Sequence, residues 1–183
     1  MLRLTLFSAL LLVHFGCAKT ENQTAPLPVV ETVDLERYMG TWYEVARFPH
    51  SFQKKCGASK AVYELREDGR VEVVNSCQLK ENSEKVDKAK ALAYVEDPQT
   101  HAKLKVSFVP FFQQFGWFAG NYWIIALDKE QYQYAMVGTP SRDYLWILSR
   151  KPHMRAPVLD KLRKKAKNLG FDVSRLKKSP SWD

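Results

Sequence analysis

Histidine and cysteine are scarce in this chain of 183 residues, with four and three copies. His14 lies in an N-terminal apolar run, and His50, His101 and His153 stand at no metal-ligand spacing, so no metal site is expected. No glycine-rich phosphate cradle and no Gly-x-Ser-x-Gly turn occurs, which removes nucleotide-driven and serine-hydrolase chemistry. The chain is read as a non-enzyme without a cofactor. A haem held through a single histidine stays an open alternative. No apolar run reaches the roughly 20 residues that cross a bilayer as a helix. No internal repeat or low-complexity tract is present.

What is there begins with the first residues. Arg3 gives a positive start, Leu4 to Phe15 is an apolar run of secretory length, and Gly16-Cys17 closes it. A cysteine directly after a small residue at this place suggests a bacterial lipoprotein signal, with cleavage before Cys17 and acylation of that residue. His14 departs from the Leu such signals prefer. Plain secretion, with Cys17 a stray thiol, is the alternative. Ala18 rather than Asp follows the cysteine, which points to a Gram-negative outer membrane; a secreted or periplasmic protein is the fallback. The boundaries expected are a signal over 1–16, a lipidated Cys17 with a flexible tether to residue 33, one domain over 34–178, and a short tail over 179–183. Pro26 and Pro28, and the lack of a periodic apolar face, support the tether.

Removing Cys17 leaves Cys56 and Cys77. In an exported chain an even pair reads as a disulfide, worth about 3 kcal/mol by chain entropy for a loop of roughly 20 residues. The other reading is a reactive thiol in a cavity, which would make the chain an enzyme. The net charge of +8 is concentrated late: Arg150 to Lys178 holds eleven Lys/Arg against two Asp. Such a face is either a solvated helix side or a contact for anionic lipid. Export, and the lack of any groove-reading or base-stacking motif, excludes nucleic acid as a partner.

Eight strand-like segments follow the tether, at 41–48, 60–66, 70–77, 88–96, 103–109, 120–127, 132–138 and 143–149. In 103–109, Leu104, Val106 and Phe108 alternate with Lys103, Lys105 and Ser107. Asp68-Gly69 marks a tight hairpin. Short connections predict an antiparallel meander. Trp42 heads the first strand and Arg150 ends the last, and the two meet only if the sheet closes into a barrel. The late strands are apolar on both faces and need cover outside. A helix over 157–169, with Pro157 at its start and Gly170 past its end, offers Val158, Leu159, Leu162, Ala166 and Leu169 as that cover.

The run Asp34-Leu35-Glu36-Arg37-Tyr38-Met39-Gly40-Thr41-Trp42-Tyr43-Glu44-Val45-Ala46-Arg47, together with Leu104 to Phe108, Tyr122 to Asp128, Asp143 to Arg150 and Gly170-Phe171-Asp172, resembles the lipocalin family. It is most similar to the bacterial outer-membrane lipocalins related to apolipoprotein D. The resemblance implies an all-β fold: an eight-stranded antiparallel up-and-down barrel with a C-terminal helix packed outside. It also implies that Gly40, Trp42 and Arg150 are structural, with Arg150 lying over the Trp42 ring at the closed end. It implies a small hydrophobic ligand, fatty acid or lysophospholipid, and in some members a homodimer.

One connection departs from the family. Five of the nine residues from Pro110 to Phe118 are aromatic. They fold inward as a lid, dip into a membrane interface, or form a dimer contact or a self-packed extension of the two strands. Candidate ligand or mouth residues are Tyr43, His50, Phe52, Phe108, Phe111, Phe112, Phe115, Trp117, Phe118 and Tyr122. The function expected is a membrane-anchored lipocalin that binds and carries or stores a hydrophobic ligand in the cell envelope. The alternatives are a cavity-cysteine enzyme and an envelope-docking interaction protein.

Overall fold

A computed structural model describes residues 25–108 and 119–182. A short helix α1 (Leu35–Tyr38) precedes strand β1 (Gly40–Arg47). Then come β2 (Cys56–Leu65), β3 (Val71–Leu79), β4 (Asn82–Val95), β5 (Lys103–Ser107), β6 (Gly120–Leu127), β7 (Tyr134–Gly138) and β8 (Leu145–Ser149). Helix α2 (Ala156–Asn168) and a two-residue strand β9 (Lys177–Lys178) end the fold.

Each strand pairs antiparallel with the next, and β1 pairs with both β8 and β2, so the sheet is closed. Gly40 to Tyr43 run beside β2, and Tyr43 to Arg47 run beside β8. β9 takes the β1 edge that β2 has left, with Ala46 opposite Lys178 and Arg47 opposite Lys177. The β2–β3 hairpin turns at Gly69, whose φ of +77° suits a residue without Cβ.

Two apolar clusters divide the core between the inside and the outside of the wall. Inside lie Trp42, Ala61, Tyr63, Val71, Val73, Ala91, Ala93, Leu104, Ile124, Val137 and Leu148. Outside, Ile125, Met136, Leu145 and Ile147 meet Leu162 and Ala166 of α2, and Phe48 and Phe171. Pro157 sits in the first turn of α2. Its far end is closed by a Schellman arrangement: Gly170 at φ +86° donates its N–H to Lys167 O, and Phe171 N–H reaches Ala166 O. The helix thus covers the doubly apolar late strands.

Two boundaries differ from expectation. The tether reaches residue 33 only on paper: Leu27, Val30 and Val33 are buried, Val30 N–H donates to Ile124 O and Val33 N–H to Thr100 O. The segment carries too few apolar residues for a period to show, yet each one finds the wall. At the other end Ser179 is buried and Trp182 lies under the Lys60 ammonium, so the tail packs on the barrel. β4 also begins at Asn82 instead of residue 88. Asn82 to Lys90 are all exposed, so no alternation of apolar residues reveals the strand, and pairing to β3 alone forms it.

Candidate functional site

The closed end of the barrel is built on Trp42, which is fully buried. Its indole N–H donates to Tyr38 O at 2.8 Å. The Arg150 guanidinium carbon lies 3.9 Å from the centre of a Trp42 ring. The same guanidinium donates to Thr41 O at 3.0 Å, Arg37 O at 2.6 Å and Tyr132 O at 3.3 Å. One side chain thereby binds α1, the start of β1 and the β6–β7 connection, and stacks on the plug. Gly40 has φ +89°, and a Cβ there would come within 3.4 Å of Arg150 Nη1. The positive φ is what asks for glycine here; the Arg150 contact alone would tolerate a Cβ.

Inward-facing residues define the site above this plug. Trp42 points in, so strand parity turns Tyr43 to the opposite face. As a ligand contact, Tyr43 is corrected: it belongs to the outside of β1. A β-bulge between Glu44 and Ala46 then shifts the parity. Glu44 lies opposite Leu148 and Arg47 opposite Trp146, all facing inward, although an even strand would place residues 44 and 47 on opposite faces.

The bulge creates a buried polar cluster. Arg47 is ion-paired with Glu44. The Ser179 hydroxyl also donates to Glu44, and the Gln53 amide reaches its other oxygen at 3.2 Å. Arg47 Nη2 donates to Cys56 O at 3.3 Å, and Gln53 also meets Ser59 and Trp146. Glu44 keeps no free oxygen, so the cluster is electrically and geometrically closed. In the sequence Glu44 and Arg47 stand out only as part of the first motif run, and neither Ser179 nor Gln53 carries a signal.

The rim is aromatic. The His50 ring stacks on Phe52 with centroids 3.7 Å apart, and Tyr144 and Trp146 lie 5.9 and 5.5 Å from His50. Phe52 is 63% exposed, and Phe108, which follows β5, is 45% exposed. The run leads from solvent at Phe52 to Trp146 on the inner wall. Among the described residues neither His50 nitrogen has a hydrogen bond of good geometry, and the Gln53 amide is only a weak neighbour. Burial, and then the Arg47 charge, push the His50 imidazole down to about 4, while the Gln53 amide works the other way. It is neutral at physiological pH. Phe111, Phe112, Phe115, Trp117 and Phe118 lie outside the described residues, as does Cys17.

Deeper in, Tyr122 points inward from β6. Its hydroxyl meets that of Tyr38 at 2.9 Å and that of Tyr63 at 3.0 Å. Burial pushes the Tyr63 phenol up to about 12 and raises those of Tyr38 and Tyr122 as well. Tyr38 and Tyr63 were not among the sequence candidates, because residues from three elements converge only in the closed barrel.

Cys56 and Cys77 form a disulfide, with Cα atoms 5.4 Å apart. A bonded sulfur is no nucleophile, so the cavity-cysteine enzyme loses both of its candidate thiols. Among the described residues no three His, Cys, Asp or Glu side chains converge as metal ligands.

A closed barrel plugged by Trp under Arg, with a helix outside, is matched by sequence. The family profile of the lipocalin-like domain covers residues 33–181. This chain belongs to the lipocalin family. The lipocalin is 42% identical to temperature-induced lipocalin-1 of Arabidopsis thaliana over 160 residues, 86% of this chain and 84% of the relative. It is 39% identical to the outer membrane lipoprotein Blc of Vibrio cholerae over 161 residues, 88% of each chain. Among solved structures it is similar to insecticyanin of the tobacco hornworm Manduca sexta, with a TM-score of 0.64, 18% identity, and coverage of 85% and 84% of the two chains. Lipocalins bind small hydrophobic ligands, and the inner wall of this barrel is apolar.

Proposed function

We propose that this lipocalin is an exported lipoprotein, anchored through Cys17 in a Gram-negative outer membrane, whose barrel carries or stores fatty acid or lysophospholipid. The observation that carries the ligand reading is the form of the interior. The wall is closed, one end is plugged by Trp42 under Arg150, and the lining above the plug is Val, Leu, Ile, Ala and Tyr. An acyl chain fits this: each buried CH2 is worth about 0.8 kcal/mol before the costs of binding.

The polar end of such a ligand belongs near the rim. There Arg47, Gln53 and Ser59 face inward, and the aromatic run from Phe52 to Trp146 gives an apolar path in. Because Glu44 already neutralises Arg47, the site does not demand an anion, which is why lysophospholipid stands beside fatty acid. No covalent chemistry is needed. The anchor rests on the apolar run ending at Gly16-Cys17, and on the relative in Vibrio cholerae being an outer membrane lipoprotein at 39% identity.

Two measurements test the two halves. Displacement of a fluorescent fatty acid by palmitate and by a lysophospholipid reads the ligand; failure of both to displace it ends this reading. Fractionation of cells that make the Cys17→Ser variant reads the anchor. The variant is expected in the soluble fraction, and its retention in the membrane would argue for another mode of attachment.

A further inference from the structure

The closed-end plug does not use the hydroxyls of Tyr38, Tyr63 and Tyr122. Trp42 bonds the Tyr38 carbonyl, and Arg150 bonds other carbonyls. Phenylalanine would fill the same volume at each of the three positions. Yet three phenols, from α1, β2 and β6, bring their oxygens together in the lower half of the barrel. Tyr38 is 2% exposed and Tyr63 8%.

Their protons can be counted. Three hydroxyls bring three protons, and the two contacts between them consume two. If Tyr122 accepts from both neighbours, its own proton is left over. If it donates to one, that neighbour's proton is left over. In every arrangement one O–H has no acceptor among the described residues. A buried donor without an acceptor is costly, and a set of phenols on an apolar wall needs something to receive it. Burial keeps all three protonated across physiological pH, so the group offers a neutral donor. A carboxylate brought here would lose its hydration, and the Arg150 guanidinium lies beyond Trp42, engaged with three carbonyls. A hydroxyl or keto oxygen carries no such penalty.

We propose that the three tyrosine hydroxyls form a distal polar subsite that receives a neutral oxygen at the leading end of the ligand. This rests on the lipid-binding reading above and narrows it: the preferred ligand is an acyl chain oxygenated near its far end, with its own head group at the rim. The subsite sets which chains bind, and it works by hydrogen bonding alone.

The test compares saturated fatty acids of graded length with their ω-hydroxy counterparts, by displacement of a fluorescent fatty acid from the disulfide-intact protein. At the length that reaches the floor, the hydroxylated acid binds about five- to tenfold tighter than its parent, the factor expected of one neutral hydrogen bond. Replacing Tyr38, Tyr63 and Tyr122 together by phenylalanine takes away every donor of the group and removes that preference, so that the hydroxylated acid and its parent bind alike. Should that triple variant fail to fold, which near-ultraviolet circular dichroism reports, an ω-keto acid compared with its parent on the unaltered protein keeps the test, since a keto oxygen only accepts and gains affinity only from a donor. Equal affinity of parent and hydroxy acid at every length overturns the subsite and leaves the lipid carrier standing. A preference that survives in the folded triple variant also overturns it. If no fatty acid of either kind displaces the probe, both readings fall.

Discussion

Replacing Arg150 by alanine is the perturbation whose cost the structure lets one work out most fully. The side chain makes three hydrogen bonds to carbonyls, of Thr41, Arg37 and Tyr132, and stacks on Trp42 at 3.9 Å. Water competes for the outer bonds, so each is worth about 1 kcal/mol net. The cation–π contact, partly desolvated, adds about 1 kcal/mol. Arg150→Ala is therefore expected to cost about 4 kcal/mol. For a domain of this size that lowers Tm by about 10 °C. Arg150→Lys separates the two contributions. It keeps a positive charge over the indole but cannot hold three carbonyls on three segments at once, and about 2 kcal/mol should be lost. Urea unfolding followed by tryptophan fluorescence measures both variants. A loss below about 1 kcal/mol for the alanine variant, or no loss for the lysine variant, would refute the view that a planar fork ties the barrel end together.

Three further outcomes follow from named contacts. Reducing the Cys56–Cys77 bond, or replacing both cysteines by serine, should cost about 3 kcal/mol by the loop-entropy argument, read from the shift in urea midpoint; an unchanged midpoint would contradict it. Gly138→Ala places a Cβ 2.7 Å from Phe171 Cζ and 3.1 Å from Ile125 Cδ1, so it should destabilise by about 1–3 kcal/mol by overpacking under α2, and thermal melts check this. His50 is depressed in the folded state to about 4, below its unfolded value, so the unfolded chain binds the extra proton as pH falls from about 6.5 to 4 and stability declines in that window. The ring is only half buried, so the effect is reduced by solvent to about 1 kcal/mol. It should vanish in His50→Phe, and a pH series of urea midpoints in which the two proteins keep the same slope would refute it.

Much of this molecule could be read from its sequence, and the reasons lie in particular residues. Asp68-Gly69 located a hairpin because a tight turn needs a residue free to take positive φ. Pro157 and Gly170 bracketed α2 because each end has its own stereochemical demand. Leu145 to Leu148, apolar on both faces, required a layer outside, and α2 supplies it. What stayed hidden has equally physical causes. The strand from Asn82 to Lys90 has no apolar alternation, since neither of its faces is covered among the described residues. Leu27, Val30 and Val33 look like scattered apolar residues in a linker until a wall is present to receive them. The pairing of Glu44 with Arg47 depends on a bulge, which reverses the side of every residue after it. The three tyrosines lie 25 and 59 residues apart along the chain, and only closure of the sheet brings their hydroxyls together.

The bulge and the two C-terminal residues of β9 also explain how the rim is held. β1 leaves β2 after Tyr43, and this would open a slot in the wall. Lys177 and Lys178 fill it, and Ser179 N–H donates to Val45 O. The Ser179 hydroxyl then reaches Glu44, so the same short segment repairs the wall and closes the buried polar cluster. Breaking one partner of a buried ion pair is costly because the other is left without compensation. The rim is thus as firmly specified as the floor, although its residues come from both ends of the chain.

The most direct test of a lipid carrier is to ask what the protein holds when it leaves the cell. The chain from residue 18 onward would be purified from an oxidising compartment and examined by mass spectrometry, intact under native conditions and after solvent extraction. A fatty acid or lysophospholipid at close to one per barrel is the expected result. A barrel that is empty, and that also fails to take up added fatty acid or lysophospholipid, would contradict it.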